Sequence, residues 1–450
     1  MHRFRKDLMF EKFLKRYKLY KNSEHYLRNN IILALGAVSA AVYALCFHTL
    51  IYWLADLEVS AKSLGFVSLG YVVSALKIFW IPIFEKFDVP YLKNFLDRRA
   101  SWIFLCIFIS GILISIVSFL HPLQDTYYFA TCIALSFCCF NIMDTLLRAQ
   151  ILKLATDDKD QTTIVGLGAF GFRTSMYVCI NIYYLLYAQF GISWESIYRT
   201  SGILIIFTSF LLFLLPKVTE LSKVKSFKEL LVVPYQAFLQ KHRKYIVSLI
   251  GFMVFFRLQD RLIAPVFYKF ITSLKPVSVF SFIPDIGIRT IFSSYKFISG
   301  PVMAVSLLFS VRFLRKHSYR SNAITSVIIH SLSCLPLVFL SMQKNHMALF
   351  IILTLFIEKI ARSFASNVYY MYQAKFCDKE HAAGQIAMLT LIESVAGAIL
   401  GISSGYIAHY LNWTALFIVA TFISLPVLFF IRGLPKDLND ALGSKAASKK

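Results

Sequence analysis

Acidic residues are scarce in this sequence: 24 Asp and Glu stand against 47 Lys and Arg in 450 residues, and charged residues of both signs make up only 16%. A chain so poor in charge and 58% hydrophobic is not expected to dress a soluble surface of its size. Metal and nucleophile patterns are missing as well. The ten histidines, among them His48, His330 and His409, show no H-x-x-x-H or H-x-x-x-x-D spacing, and the eight cysteines show neither a metal set nor a disulfide framework. No P-loop occurs, which excludes an ATP-driven pump. With no nucleophile–base set either, the chain is not expected to be an enzyme or to carry a cofactor. The start does not read as a cleavable signal, because the first apolar run is too long and follows 30 polar residues.

Long apolar runs are what the sequence has in abundance. Mean hydropathy is +0.64, and runs of the roughly 20 residues that one helix needs to cross a bilayer recur along the chain. Six precede a basic connector at 216–244 and six follow it. The expectation is therefore an all-α integral membrane protein of 12 transmembrane helices in two pseudo-symmetric six-helix bundles. Its parts would be a basic tail 1–30, a bundle 31–215, the linker 216–244, a bundle 245–431 and a tail 432–450. The net charge of +23 does not point to nucleic acid, because the basic residues sort by loop. Alternate loops and the two tails hold 33 Lys and Arg, the opposite loops only Lys62, Arg199, Lys275, Arg289 and Lys344, which predicts both termini in the cytoplasm.

Several motifs stand in these runs. Helix 2 ends in L-K-I-F-W-I-P (Lys77, Trp80, Pro82), followed by Pro90-Tyr91 and by Arg98-Arg99 ahead of Trp102. Helix 4 carries Asp144 and Arg148 at i,i+4, spaced to pair or to line a pathway. Helix 5 spells G-x-G-x-x-G at Gly166, Gly168 and Gly171, but no strand precedes it, so it reads as a close-packing face rather than a dinucleotide site. Arg173 follows it inside the span. Helix 7 brings Arg257, Asp260 and Arg261 onto one face, and helix 10 places Glu358 and Arg362 at i,i+4. Helix 8 holds Lys296 and a Gly300-Pro301 pair read as a break. Trp194 and Tyr198 in the first half are echoed by Trp413 and Phe417 in the second, which supports a duplicated unit.

These stretches, together with Gly171-Phe172-Arg173 and C-D-K-E-H-A-A-G-Q-I-A-M-L (Cys377, Lys379, Ala383, Gln385, Ala387, Leu389), resemble the muropeptide permeases of the AmpG type, a branch of the major facilitator superfamily. The resemblance implies a secondary transporter of the bacterial inner membrane that imports anhydromuropeptides by proton symport. Arg148, Arg261 and Arg362 depart from the family pattern, so a phosphorylated or CoA-like anion, or a non-transporting receptor or scaffold, stays as the alternative.

Nine cations lie inside the expected spans (Lys77, Arg148, Arg173, Arg257, Arg261, Lys269, Lys296, Lys359, Arg362) against four acids (Asp144, Asp260, Glu358, Glu393). Unpaired charge is costly there, so an anionic solute is the natural missing partner. Arg257, Asp260, Arg261, Arg173, Lys296, Glu358 and Arg362 are the expected substrate residues, and Lys77, Trp80, Pro82, Arg98 and Arg99 the gating loop. Glu393, alone among the acids in having no arginine within one turn, is the expected proton carrier, with Asp144 second. The partners expected are protons, an anionic solute and lipid, with the protein acting as a monomer.

Overall fold

The computed structural model describes residues 25–154, 156, 158–216, 232–277, 287–316, 318–376 and 382–434. In chain order its helices are α1 (His25–Asp56), α2 (Ala61–Gly65), α3 (Gly70–Lys86), α4 (Arg98–Val117), α5 (Thr126–Leu154), α6 (Asp158–Tyr177), α7 (Tyr183–Phe190), α8 (Trp194–Ser209), α9 (Val233–His242) and α10 (Ile246–Phe255). They continue with α11 (Leu258–Ile263), α12 (Phe267–Ser273), α13 (Ile288–Lys316), α14 (Tyr319–Leu332), α15 (Leu335–Met342), α16 (Ala348–Phe376), α17 (Ala382–Tyr406), α18 (Trp413–Ile423) and α19 (Val427–Gly433). The one strand pairing among the described residues is a two-residue parallel match of Pro276–Val277 with His346–Met347.

Side chains mark the ends of these helices as physical chemistry requires. Asp97 caps α4 by accepting from the Ala100 N–H at 2.8 Å, and Asn412 caps α18 by accepting from Ala415 at 2.7 Å, each satisfying an orphan donor. Gly191 closes α7 in the left-handed conformation, at φ 66°.

Among the described residues eight stretches are long and apolar enough to cross a membrane: His25–Asp56, Arg98–Val117, Thr126–Ile151, Thr163–Phe190, Trp194–Leu214, Arg320–Met342, Leu391–Leu411 and Trp413–Gly433. Against the twelve expected, the missing four are helices 2, 7, 8 and 10. Helix 2 is divided, with a 3₁₀ turn at Phe66–Leu69 between α2 and α3. Helix 7 is in three pieces, interrupted after Phe255 and again around Pro265, whose ring cannot donate to Arg261 and crowds its carbonyl. Helices 8 and 10 are unbroken as α13 and α16 but carry charge. The break expected at Gly300-Pro301 is absent: α13 runs through Pro301. Membrane helices tolerate such a proline where local adjustments and neighbouring groups take up the freed carbonyl.

The described residues gather into two compact units, and besides the division that falls within 216–244 the chain crosses between them four times in its first half. One takes residues up to Ala44, Phe84–Val178 and Tyr198–Ser222; the other takes Leu45–Ile83, Cys179–Ile197 and residues from Lys223 onward. Two of the crossings fall at π-helical turns, Leu45–Thr49 within α1 and Val178–Ile182 between α6 and α7. Within the first unit α1 packs on α6 and α4 on α5. Arg28 of α1 donates to the Leu154 carbonyl and to Asp160, each at 3.0 Å. Burial works to raise the Asp160 pKa, but the bonds from Arg28 and Thr156 outweigh it and hold the carboxyl below its usual range.

The glycine run of helix 5 serves packing, as expected. A Cβ on Gly171 would collide with the Leu33 carbonyl of α1, whereas one on Gly166 would meet nothing within 4 Å. Gly171→Val is therefore expected to cost more than the roughly 1–3 kcal/mol of ordinary overpacking, because backbone cannot yield as a side chain does. Gly166→Val is expected to be neutral. Melting of the two purified variants, followed by size-exclusion chromatography after heating, checks the contrast; equal loss in both would refute it.

In the second unit an aromatic core of Phe238, Phe252, Phe256, Tyr369, Tyr372 and Phe376 joins α9, α10 and α16. At the far end of α1, Asp56 accepts from Tyr268 at 2.9 Å and Trp194 at 3.1 Å. Trp194 stacks on Tyr187, and Phe270 lies against both Trp413 and Phe417.

Candidate functional site

The break in helix 7 organises the polar interior of the second unit. Arg257 sits between α10 and α11 at φ −113°, ψ 12°, and folds onto Asp260 three residues on, with Nε at 3.0 Å and Nη2 at 2.9 Å from Oδ2. The other oxygen of Asp260, Oδ1, lies 3.1 Å from Nε of Arg362 and 3.2 Å from Nε2 of His330. Arg362 also reaches Glu358 one turn back on α16. Gln259 donates to the His330 carbonyl and to Cys334 Sγ, each at 2.9 Å, tying α11 to α14 and the start of α15. A buried network of this kind is weak support for stability, since desolvation offsets most of the Coulomb gain.

Arg261 leaves this group. It pairs with Glu393 on α17, its guanidinium lies 4.4 Å from the centre of the Tyr71 ring, and Tyr369 donates to the second Glu393 oxygen at 3.1 Å. The reading of Glu393 as an acid without a cation is thereby corrected: its arginine is 132 residues away in sequence and adjacent in space.

Lys296 of α13 is different in kind. Its ammonium donates to the Tyr52 hydroxyl at 2.6 Å and lies 4.9 Å from the Phe292 ring centre. Among the described residues no carboxylate pairs with it. Lys359 on α16 is likewise in no ion pair among them, and these two lysines, Arg261 and Arg362 all exert their fields on His48 of α1. Within this cluster Arg257, Arg261, Lys296, Lys359 and Arg362 stand against Asp260, Glu358 and Glu393, an excess of two cations.

The remaining expected residues lie elsewhere. Asp144 pairs with Arg148 at 3.0 Å and accepts from Ser39 at 3.1 Å, so the i,i+4 pair does form. Arg173 is exposed and in no ion pair among the described residues. Arg98 bonds Asp88 at 2.6 Å, and Arg99 occupies the first turn of α4. Trp80 is half-buried on α3, while the side chains of Lys77 and Pro82 on that helix, like Cys377 and Lys379 beyond α16, lie outside the described residues. His330, His48, Tyr52, Tyr71 and Tyr369 are the site residues that spacing did not reveal. A histidine inside a charge-poor run was their one visible sign.

No family model matches the sequence. Among curated proteins the chain is similar to "Putative transporter AmpG 2" of Rickettsia typhi, with 26% identity over 412 residues that span 91% of this chain and 96% of the relative. AmpG 1 of Rickettsia bellii is 25% identical over 426 residues, covering 91% and 98%. Among solved structures, the nucleoside transporter NupG superposes with a TM-score of 0.65 at 14% identity over 90% of this chain and all of that one. A D-xylose–proton symporter does so at 0.65 and 13%, covering 91% and 98%. The fold is that of the major facilitator transporters, and the AmpG resemblance extends over nine-tenths of the chain.

Proposed function

We propose that this multi-pass membrane protein is an AmpG-like secondary transporter that carries a small anionic solute of the anhydromuropeptide class into the bacterial cytoplasm with protons. Twelve spans in two six-helix bundles, both termini inside, would alternate access around a central site, one chain sufficing. The observation that carries this reading is the pair of interior lysines, Lys296 and Lys359, neither of which forms an ion pair among the described residues although Glu358 lies in the same region. A cation kept in a low-dielectric interior without a protein counter-ion is stable chiefly when a ligand supplies the charge. The three carboxylates and three arginines beside them already neutralise one another, so the lysines are free to meet the carboxylates of the solute. Glu393 and Asp144 are proposed as proton sites, with protonation of Glu393 releasing Arg261.

Uptake of labelled anhydromuropeptide into proteoliposomes under an inward proton gradient tests the reading. Uptake abolished by an uncoupler is expected, and Lys296→Met is expected to raise the half-saturating concentration at least about tenfold, the loss of one charge-assisted contact of roughly 1.4 kcal/mol or more. Folded protein that takes up none would remove the cargo assignment. An unchanged half-saturation in Lys296→Met would remove the lysine from the site.

A further inference from the structure

We propose that His330 is a proton-operated switch on Asp260, and that its protonation frees Arg362 to hold the anionic solute. The proposal rests on the reading of the chain as an anion transporter and adds a residue to its site. His330 is 2% exposed. Its Nε2 and the Nε of Arg362 approach one and the same oxygen, Oδ1 of Asp260, at 3.2 and 3.1 Å. Neither contact is aligned as a hydrogen bond. His330 Nε2, Asp260 Oδ1, Glu358 Oε1 and both Nε and Nη2 of Arg362 are enclosed with no hydrogen-bond partner among the described residues. Oδ2 is held by Arg257 through two nitrogens, so that half of the carboxylate is committed. Only Oδ1 is contested.

The contest has a definite direction. A neutral imidazole leaves Oδ1 to Arg362, which then bridges Asp260 and Glu358. A proton taken up at Nε2 makes His330 a charged donor to Oδ1 and adds one positive charge beside Arg362. Repulsion and loss of its acceptor both push the guanidinium away from Asp260, where its planar fork can take a carboxylate of the solute bidentately. The incoming anion offsets the added proton. When the solute departs, Arg362 returns to Oδ1 and the proton leaves Nε2 to water. His330 faces Asp260 of helix 7 and Glu358 of α16, and around these two carboxylates lie Arg257 of helix 7 and Lys359 and Arg362 of α16, with Cys334 joined to the His330 carbonyl through Gln259. Of the other helices packed on α14, α18 offers no titratable group, and α19 offers Arg432, which lies by Arg320 at the opposite end of α14.

Two measurements on the full chain in nanodiscs test this. In the first, without any solute, nitrogen NMR of histidine-labelled protein follows His330, assigned by its loss in His330→Gln. Its ring nitrogens are expected to report uptake of a proton as the pH is lowered. Its midpoint is expected to move in Arg362→Lys, which removes the Nε contact, and to stay in Glu393→Gln. A His330 that takes up no proton while the protein stays folded, or whose midpoint ignores Arg362→Lys, overturns the proposal. In the second, wild-type binding of labelled anhydromuropeptide is expected to be about tenfold tighter at pH 5.5 than at 7.5, one proton linked to one anion. His330→Gln is expected to bind with no such dependence, and full pH dependence in that variant overturns the switch. Absence of wild-type binding at every pH would refute the cargo assignment alone, while the NMR titration still decides the switch.

Discussion

Arg362→Gln is expected to be among the most damaging single substitutions in this protein, and Arg362→Lys to separate the reason. The guanidinium bridges Asp260 and Glu358, and both carboxylates are buried. Removing it leaves Glu358 with no ion pair among the described residues and Asp260 with Arg257 and a histidine. Breaking a buried pair in this way costs about 3–5 kcal/mol, a large part of the stability of most folds. Arg362→Gln should therefore yield little monodisperse protein. A lysine restores one positive charge between the two acids, so Arg362→Lys is expected to purify and melt close to wild type. It cannot present two parallel N–H groups to a carboxylate, and proton-driven uptake is expected to fall at least about tenfold. Wild-type transport in Arg362→Lys would make the residue a counter-ion and nothing more. Poor folding of both variants to the same degree would show that geometry, rather than charge, holds the cluster together.

What could be read in advance from the sequence divides along a physical line. Apolar length alone marks eight spans among the described residues, because each keeps a long window with few charges in one unbroken helix. Of the four that fail that test, helices 2 and 7 are divided, and helices 8 and 10 carry the charges of Lys296, Glu358, Lys359 and Arg362 in their interiors. Local pairs were also legible. Arg257 with Asp260, Asp144 with Arg148 and Glu358 with Arg362 follow from helical spacing. The glycines of helix 5 could be assigned to packing because an apolar span offers no phosphate-binding turn.

Long-range partners were not legible. Nothing in the neighbourhood of Glu393 announces Arg261, and nothing near Lys296 announces Tyr52, 244 residues away. Placing Arg257, Asp260 and Arg261 on one face was right in helical geometry, yet the break at Phe256–Arg257 turns them to two different carboxylates on α11 and α17. That break has no proline or glycine at it, so no residue type gives it away. His330 was passed over for want of a spaced partner; its partner, Asp260, is on another helix. Spacing rules see one helix at a time, and this site is made between helices.

Glu393 shows what the correction changes. As an acid without a cation, Glu393→Gln would be a clean test of proton coupling: gradient-driven uptake lost, counterflow of solute retained. With Arg261 beside it, the same substitution also strands a buried guanidinium, so lost uptake could reflect damage to the fold. The companion is Arg261→Gln/Glu393→Gln, which removes both charges and leaves neutral side chains that can bond each other and Tyr369. Each single variant is expected to be destabilised, and the double variant to recover part of the loss, with a coupling energy of about 0.5–3 kcal/mol. Gradient-driven uptake is expected to be lost in Glu393→Gln and in the double variant alike, and counterflow to persist in whichever folds. Melting curves, driven uptake and counterflow on the three proteins decide it. Recovery of stability together with driven uptake in the double variant would make the pair a structural bridge between α11 and α17 and move coupling to the carboxylates of α11 and α16. Recovery of stability without driven uptake would leave the proton on Glu393, released from Arg261 as the anion arrives.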